Sequence, residues 1–363
     1  MAAELEVLLH DRVIGHLMES TTEAWSFVYQ DEGHAALKAR PAALALPRVR
    51  RTHCGESVRA VFCNLLPDGQ VRRRLTASLG LSTGNDFALL ARIGGECHGA
   101  LGLRPPSLRE DVGVLRRELN DAELRSAVAV LPVYPLLAET DGLQVTLPGE
   151  YDKLPVCVED GRGFLSLGVG LSSHIIKPAK PGLKESVMNE DFVMALARAF
   201  GLPAASTAIL RGAVTLLSVT RFDRRGTRSA DGIPVEDFCQ IIGILPEQKY
   251  EREGGPRTSE VFDVLRRASV MPALDIRALL RWQIFCFLIG FGAGHGKQLA
   301  MIDTDGGPRL APFYGLWSTP CLPGNEPPHG LFHRWRRPAG LADRGALAGV
   351  RRGYRGAARF HSG

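Results

Sequence analysis

Lysines beside glycine turns have the clearest capacity for chemistry in this chain, because an ammonium and a run of backbone N–H groups together can hold phosphate oxygens. One such place is Thr146-Leu147-Pro148-Gly149-Glu150-Tyr151-Asp152-Lys153, between two stretches of strand-like composition. It reads either as a hairpin turn or as a loop covering a phosphate, with Lys153 facing the oxygens. A second is Lys177, which ends the run His174-Ile175-Ile176-Lys177. It is either a solvated strand end or the strand lysine that pairs nucleotide phosphates in kinase-like folds, partnered by Glu190 on the following helix. Spacing leaves both alternatives open at both places. The run Gly290-Phe291-Gly292-Ala293-Gly294-His295-Gly296-Lys297 has the look of a Walker A loop, but Phe291 and Gln298 stand where that loop needs Gly and Ser or Thr. It reads as a turn after a buried helix. His329 and His333 are four apart, yet Pro327, Pro328 and Gly330 oppose a helix there, so no metal site is expected.

Elements of both kinds must bring these segments together. Residues 1–105 read as a small mixed α/β domain, with Val7-Leu8-Leu9 and Trp25-Ser26-Phe27-Val28-Tyr29 as strands. Helical periodicity over 58–66 and 71–81 is interrupted by the turn Pro67-Asp68-Gly69. A connector spans 106–142, acidic and helix-prone over 107–124. Residues 143–222 read as strands (144–147, 154–157, 174–177 and 216–220) around one helix over 187–200. That helix places Val193, Leu196, Ala197 and Phe200 on one face and ends at Gly201. From Val235 helices dominate, notably over 259–267 and 275–290, so residues 223–333 read as a helical lobe. The expected class is α+β, a small sheet lobe joined to a helical lobe.

The 363 residues suffice for two domains, and 45% apolar with 23% charged residues is the balance of an ordinary globular protein. The longest apolar uncharged stretch, 282–294, falls short of the roughly 20 residues a membrane span needs. No basic-then-apolar secretory start is visible. Seven cysteines without a Cys-x-x-Cys pair argue against a disulfide framework, and a reducing cytoplasm is expected. The net charge of +5 is unevenly spread: the 30 residues from Arg334 onward hold eight arginines and one acid, Asp343, leaving −2 for the rest. The body therefore carries no nucleic-acid footprint.

Taken in order, several short motifs resemble the HipA family, the serine/threonine kinase toxins of bacterial type II toxin–antitoxin modules. They include Phe27-Val28-Tyr29, Asn64-Leu65-Leu66-Pro67-Asp68-Gly69, Asp86-Phe87-Ala88-Leu89-Leu90, Ile93-Gly94 and His98-Gly99-Ala100-Leu101. Further on come Ser173-His174-Ile175-Ile176-Lys177, Asn189-Glu190, Arg221-Phe222-Asp223-Arg224, Asp237-Phe238-Cys239-Gln240, Lys249-Tyr250-Glu251 and Gly254-Gly255-Pro256. The resemblance runs from about residue 5 to about residue 320. It implies a kinase-like two-lobe fold with an extra N-terminal α/β subdomain, ATP and Mg²⁺ as cofactors, and a cytosolic protein substrate. It also implies a small DNA-binding antitoxin as partner, with DNA reached only through that antitoxin and no membrane role.

Residue by residue, the resemblance makes Pro148, Gly149, Glu150, Tyr151, Asp152 and Lys153 the loop over the phosphates and Lys177 the phosphate-pairing lysine. Thr220, Arg221 and Phe222 become the hinge beside adenine, Tyr314 a nucleotide-binding position, and Thr146 an autophosphorylation candidate. The family's catalytic loop reads Asp-x-His-x-Lys-Asn, where this chain has Ala293, His295, Lys297 and Gln298. The family's metal-binding aspartate, after Pro-Phe-Tyr, is Gly315 here. A missing general base alone removes about 10²–10⁴ in rate, and without the metal carboxylate the magnesium anchor goes too. Asp303 is the nearest surrogate, though residues 303–307 read as a hairpin turn.

The expectation is a HipA-type kinase with phosphoryl transfer lost or severely reduced. The alternatives are a non-catalytic antitoxin- or nucleotide-binding pseudokinase, and a non-functional truncated remnant. The Arg/Gly/Ala-rich tail, 334–363, reads as disordered and as a truncated or frame-shifted end to an incomplete helical lobe, or else as a basic nucleic-acid arm.

Overall fold

The computed structural model describes residues 3–30, 41–108, 115–138, 144–167, 171–225 and 232–322. The expectations for the tail, for His329 and His333, and for parts of the connector lie outside the described residues. In the first third, apolar residues at every second position set a sheet: Trp25, Phe27 and Tyr29 are buried while Ser26 and Val28 between them are less so. The elements there are β1 (Ala3–Leu9), β2 (Arg12–Glu19), β3 (Trp25–Tyr29), β4 (Thr52–Cys54), α1 (Glu56–Cys63), α2 (Gly69–Ser78), α3 (Asp86–Ile93) and β5 (Leu101–Arg104). The strands pair antiparallel in the order β4-β3-β2-β1-β5.

A second antiparallel sheet, ordered β10-β11-β9-β7-β8-β6, uses β6 (Leu115–Leu119), β7 (Leu154–Glu159), β8 (Arg162–Leu167), β9 (His174–Lys177), β10 (Thr207–Arg211) and β11 (Thr215–Thr220). Helix α4 (Asp121–Val130) follows β6 and opens with a capping box, Asn120 with Glu123. Helix α5 (Ser186–Ala199) follows β9 and closes at Gly201, whose φ of +79° suits glycine. Two expectations are corrected here. Residues 115–119 are a strand and not helix, because Arg116–Ser166 and Glu118–Phe164 pairing makes them the edge of this sheet. Residues 144–147 form no strand; Val145 makes a single bridge to Glu96, so the 146–153 turn closes no hairpin. On α5, Val193, Met194 and Ala197 are buried, whereas Leu196 and Phe200, expected on the same face, stay 41% and 37% exposed.

The last third holds β12 (Val235–Asp237), α6 (Phe238–Ile242), α7 (Thr258–Ala268), α8 (Pro272–Ile289), β13 (Ala300–Thr304) and β14 (Gly307–Leu310). The helices are as expected, and a small sheet β12-β13-β14 accompanies them. Its core centres on Trp282 of α8, stacked on Phe313 at 5.6 Å. No helix among the described residues is long and apolar enough to cross a membrane. All seven cysteines are free thiols.

Candidate functional site

A cleft of about 570 Å³ lies between the second sheet and the last third, with Asp68 and His98 of the first third on its wall. Strand β9 carries Lys177 in register with Leu217 of β11, so both Lys177 and the apolar Leu217 and Val219 line the cleft. Lys177 Nζ pairs with Glu190 Oε1 of α5 at 2.6 Å, which is the strand-lysine and helix-glutamate pair of kinase-like folds. The loop 148–153 also lines the cleft. Gly149 has a φ of +116°, and a Cβ there would come 2.7 Å from Lys153 Nζ. That ammonium turns back onto the Pro148 carbonyl. Burial, with Lys177 nearby, lowers Lys153 to about 7. Lys180 lies 3.4 Å from the centre of the Trp317 ring and 4.2 Å from that of Tyr151, and burial lowers it to about 8.

Helix α8 stops at Gly290, φ +66°, and delivers residues 293–298 to the cleft floor. His295 is buried with the Tyr250 ring edge-on at 4.9 Å, and its Nδ1 has no hydrogen-bond partner among the described residues. Burial and then Lys249 push its pKa down to about 3, so the ring is neutral. Lys297 is buried and donates to the Asn64 carbonyl and to Asp68 Oδ1, both at 3.1 Å. Lys249 reaches Asp68 Oδ2 at 3.3 Å and Glu150 at 2.6 Å. Five lysines (Lys153, Lys177, Lys180, Lys249 and Lys297) thus face one cavity, a setting that fits a polyanion.

Magnesium does not fit. Ala293 and Gly315 offer no oxygen from their side chains, and Gln298 offers a neutral one, Oε1, buried without a hydrogen-bond partner among the described residues. A Cβ on Gly315 (φ +63°) would lie 3.5 Å from that oxygen, so Gln298 and Gly315 are adjacent in space. The carboxylates lining the cleft are committed elsewhere: Asp68 and Glu150 to lysines, Glu190 to Lys177, Asp152 to Arg74 at 2.8 Å, Asp223 to Arg221 and Arg224, and Asp237 to the Gln240 N–H of its own helix. Mg²⁺ is usually held by one or two carboxylates together with phosphates. Residues 303–307 form the expected hairpin, Asp303 pairing Pro308 and Thr304 pairing Gly307 about the turn at 305–306, and Asp303 does not line the cleft.

At the cleft's inner end, Phe222 and Tyr314 rings lie 5.5 Å apart, with His98 6.0 and 6.3 Å from them. Burial lowers His98 to about 4, and the Tyr314 hydroxyl donates to the Lys297 carbonyl at 2.7 Å. Three expected roles change with the side-chain directions. Arg221 turns into a buried network with Glu96 at 2.6 Å and Asp223 at 2.8 Å, joined by Arg224, so the hinge can offer a ligand only its backbone at that position. Asp152 faces Arg74 of α2 and leaves the phosphate side. Thr146 is fully buried and its hydroxyl donates to the Leu65 carbonyl at 2.7 Å, so it is no exposed phosphoacceptor in this conformation. Thr220 lines the cleft at the end of β11 as expected. Asp68, Lys249, His98 and Lys180 are cleft residues that sequence reasoning did not assign, although the first three stand inside the motifs quoted above.

Comparison with known proteins places this geometry in context. The family model described as HipA N-terminal domain matches residues 5–104, and the model described as HipA-like C-terminal domain matches residues 145–343. The second match continues past residue 320, where the motif resemblance ends. A protein named as a kinase, Y4mE of Sinorhizobium fredii, is 35% identical over 333 residues, covering 89% of this chain and 79% of that protein. The serine/threonine-protein kinase toxin HipA of Shewanella oneidensis is 27% identical over 330 residues, covering 86% of this chain and 75% of that one. Among solved structures, the Shewanella oneidensis HipA in complex with HipB and its operator DNA superposes with a TM-score of 0.76 at 25% identity, over 89% of this chain and 78% of that one.

Proposed function

This chain belongs to the HipA family of kinase toxins, and on that premise we propose that its cleft binds the polyphosphate of a nucleotide while phosphoryl transfer is lost or severely reduced. One observation carries the reading: the Lys177–Glu190 pair and five lysines line one cleft with Ala293 and Gly315, which stand where the family resemblance expects the base and the metal carboxylate. ATP is the ligand we assign, its phosphates towards the five cleft lysines and its base against the hinge backbone at 220–222. In phosphoryl transfer a bound metal ion would offset developing charge. Here Lys153 and Lys180, which no carboxylate pairs among the described residues, supply the positive charge instead. Phosphoryl transfer depends on positioning and charge neutralisation, so with base and metal carboxylate both absent the fold retains binding better than turnover. By analogy with the HipB complex of the Shewanella protein, we assign a small DNA-binding antitoxin as partner, in the cytoplasm, with DNA contacted through it.

The test combines binding and transfer. The chain is expected to melt at a higher temperature with ATP, by the same increment with and without Mg²⁺, and to transfer no labelled phosphate to itself or to extract proteins. Measurable transfer by the unaltered chain would refute the loss of chemistry, and the absence of any ATP-induced rise would refute the binding. The triple reversion Ala293→Asp, Gln298→Asn and Gly315→Asp is expected to gain Mg²⁺-dependent transfer. Co-purification with the antitoxin encoded beside it would support the partner assignment.

A further inference from the structure

Asp68 is the N-cap residue of α2, a position where an aspartate ordinarily accepts hydrogen bonds from the N–H groups two or three residues on. It makes none of them. Its oxygens go to the cleft instead, Oδ1 3.1 Å from Lys297 Nζ and Oδ2 3.3 Å from Lys249 Nζ. Its backbone is fixed to the loop 148–153, since its N–H donates to the Gly149 carbonyl at 3.1 Å. Arg74, on the same helix α2, grips Asp152 near the loop's other end. Burial pushes the Asp68 carboxyl upward, but Lys297 and Lys249 outweigh it and hold the group below the usual carboxylate range, so it is an anion. A bound polyphosphate and Asp68 therefore seek the same two ammoniums.

We propose that Asp68 is a built-in counter-anion that fills the phosphate end of the ligand-free cleft, and that nucleotide phosphates displace it onto the vacant N-cap of α2. The proposal rests on the nucleotide reading above and adds its regulation. The carboxylate has two alternative sets of donors within reach of its own backbone position: two ammoniums, or the first N–H groups of α2. Exchange favours ligands with two or three adjoining phosphates, whose charge exceeds that of a single carboxylate; AMP and inorganic phosphate displace it less well. Asp68 comes from the first third of the chain and both lysines from the last third, so displacement also loosens the junction between them. A partner that clamps the first third against the lysines then weakens nucleotide binding, and nucleotide weakens that partner by the same factor.

The experiment is calorimetric titration of the full chain, without Mg²⁺, using ATP, ADP and AMP, for the unaltered protein and Asp68→Asn. Asparagine is isosteric and still caps a helix, but it no longer competes as an anion. ATP and ADP are expected to bind the variant at least about fivefold more tightly, with AMP changing less. Unchanged or weaker ATP binding by a folded variant overturns the proposal. If the unaltered chain binds ATP and the variant binds it equally, only the counter-anion idea fails. If neither binds, the nucleotide reading fails as well. Should the variant not fold, hydrogen exchange of the unaltered chain decides: ATP is expected to slow exchange in the first turn of α2, and no change there overturns the displacement.

Discussion

Lys153 and Lys180 are the residues whose protonation ties the cleft to pH. An amine lowered by burial to about 7, from an ordinary 10.5, is neutral in the ligand-free chain at pH 8 but must be protonated to meet a phosphate. Lys180, at about 8, is half in that condition. ATP binding at pH 8 is therefore expected to take up protons, seen as a binding enthalpy that varies with the ionisation enthalpy of the buffer, and the affinity should fall as pH rises from 7 to 9. Substituting Lys153→Gln should remove much of the proton uptake; an uptake left intact would mean that other groups titrate. In the ligand-free protein the sign reverses. Between pH 7 and about 10 the unfolded chain holds more protons on this lysine than the folded chain, so its contribution makes stability rise with pH across that window. Thermal melts of the unaltered chain and Lys153→Gln from pH 7 to 9 should differ in slope accordingly.

At the level of elements, β2 and β3 approach so closely that only a glycine fits at one point. A Cβ on Gly15 would stand 2.5 Å from the Val28 carbonyl and 2.7 Å from the Phe27 ring. Gly15→Ala is expected to destabilise the chain by about 1–3 kcal/mol in urea unfolding, because backbone must move to admit it. Elements with strong local patterns were legible in the sequence: the alternating aromatics of β3, the helices α5, α7 and α8, and the Lys177–Glu190 pair, whose members are only 13 residues apart. Elements owed to their neighbours were not. Leu115-Arg116-Arg117-Glu118-Leu119 has helix-favouring composition and becomes β6 only because β8 offers an unpaired edge. The three residues of β12 are too few to show a period. The cleft-lining residues Ala293, His295, Lys297 and Gln298 were legible because they lie close together in sequence, whereas the contact of Asp68 is with a lysine 229 residues away, which no local pattern encodes. Arg221 and Asp152 were placed in the right cavity but with the wrong heading, since side-chain direction follows from the partners Glu96 and Arg74.

Across the whole molecule, distant segments are stapled by polar contacts. Arg221 joins Glu96 to Asp223, Gln240 reaches the Val61 carbonyl at 2.8 Å, and Asn64 reaches that of Ile244 at 2.8 Å. Removing one partner of such a buried pair strands the other charge, so Arg221→Met is expected to lose about 3–5 kcal/mol. Urea unfolding followed by fluorescence and by far-UV circular dichroism should show one coincident transition for the unaltered chain. For Arg221→Met the two probes should separate, as the first third is no longer tied to the rest. Coincident curves with little loss would mean the network contributes no coupling.

The contact between Asp68 and Lys297 also has a meaning in time. A ribosome extends a chain at about 5–20 residues per second, and the two residues are 229 positions apart. Asp68 is therefore made on the order of 10–50 s before its lysine exists. Until Lys249, 181 positions on, is made as well, neither of its two ammonium partners exists, and the carboxylate has the N–H groups of its own helix to turn to. During synthesis the first third is expected to mature with α2 capped, and the cleft-facing heading of Asp68 is acquired when the last third arrives.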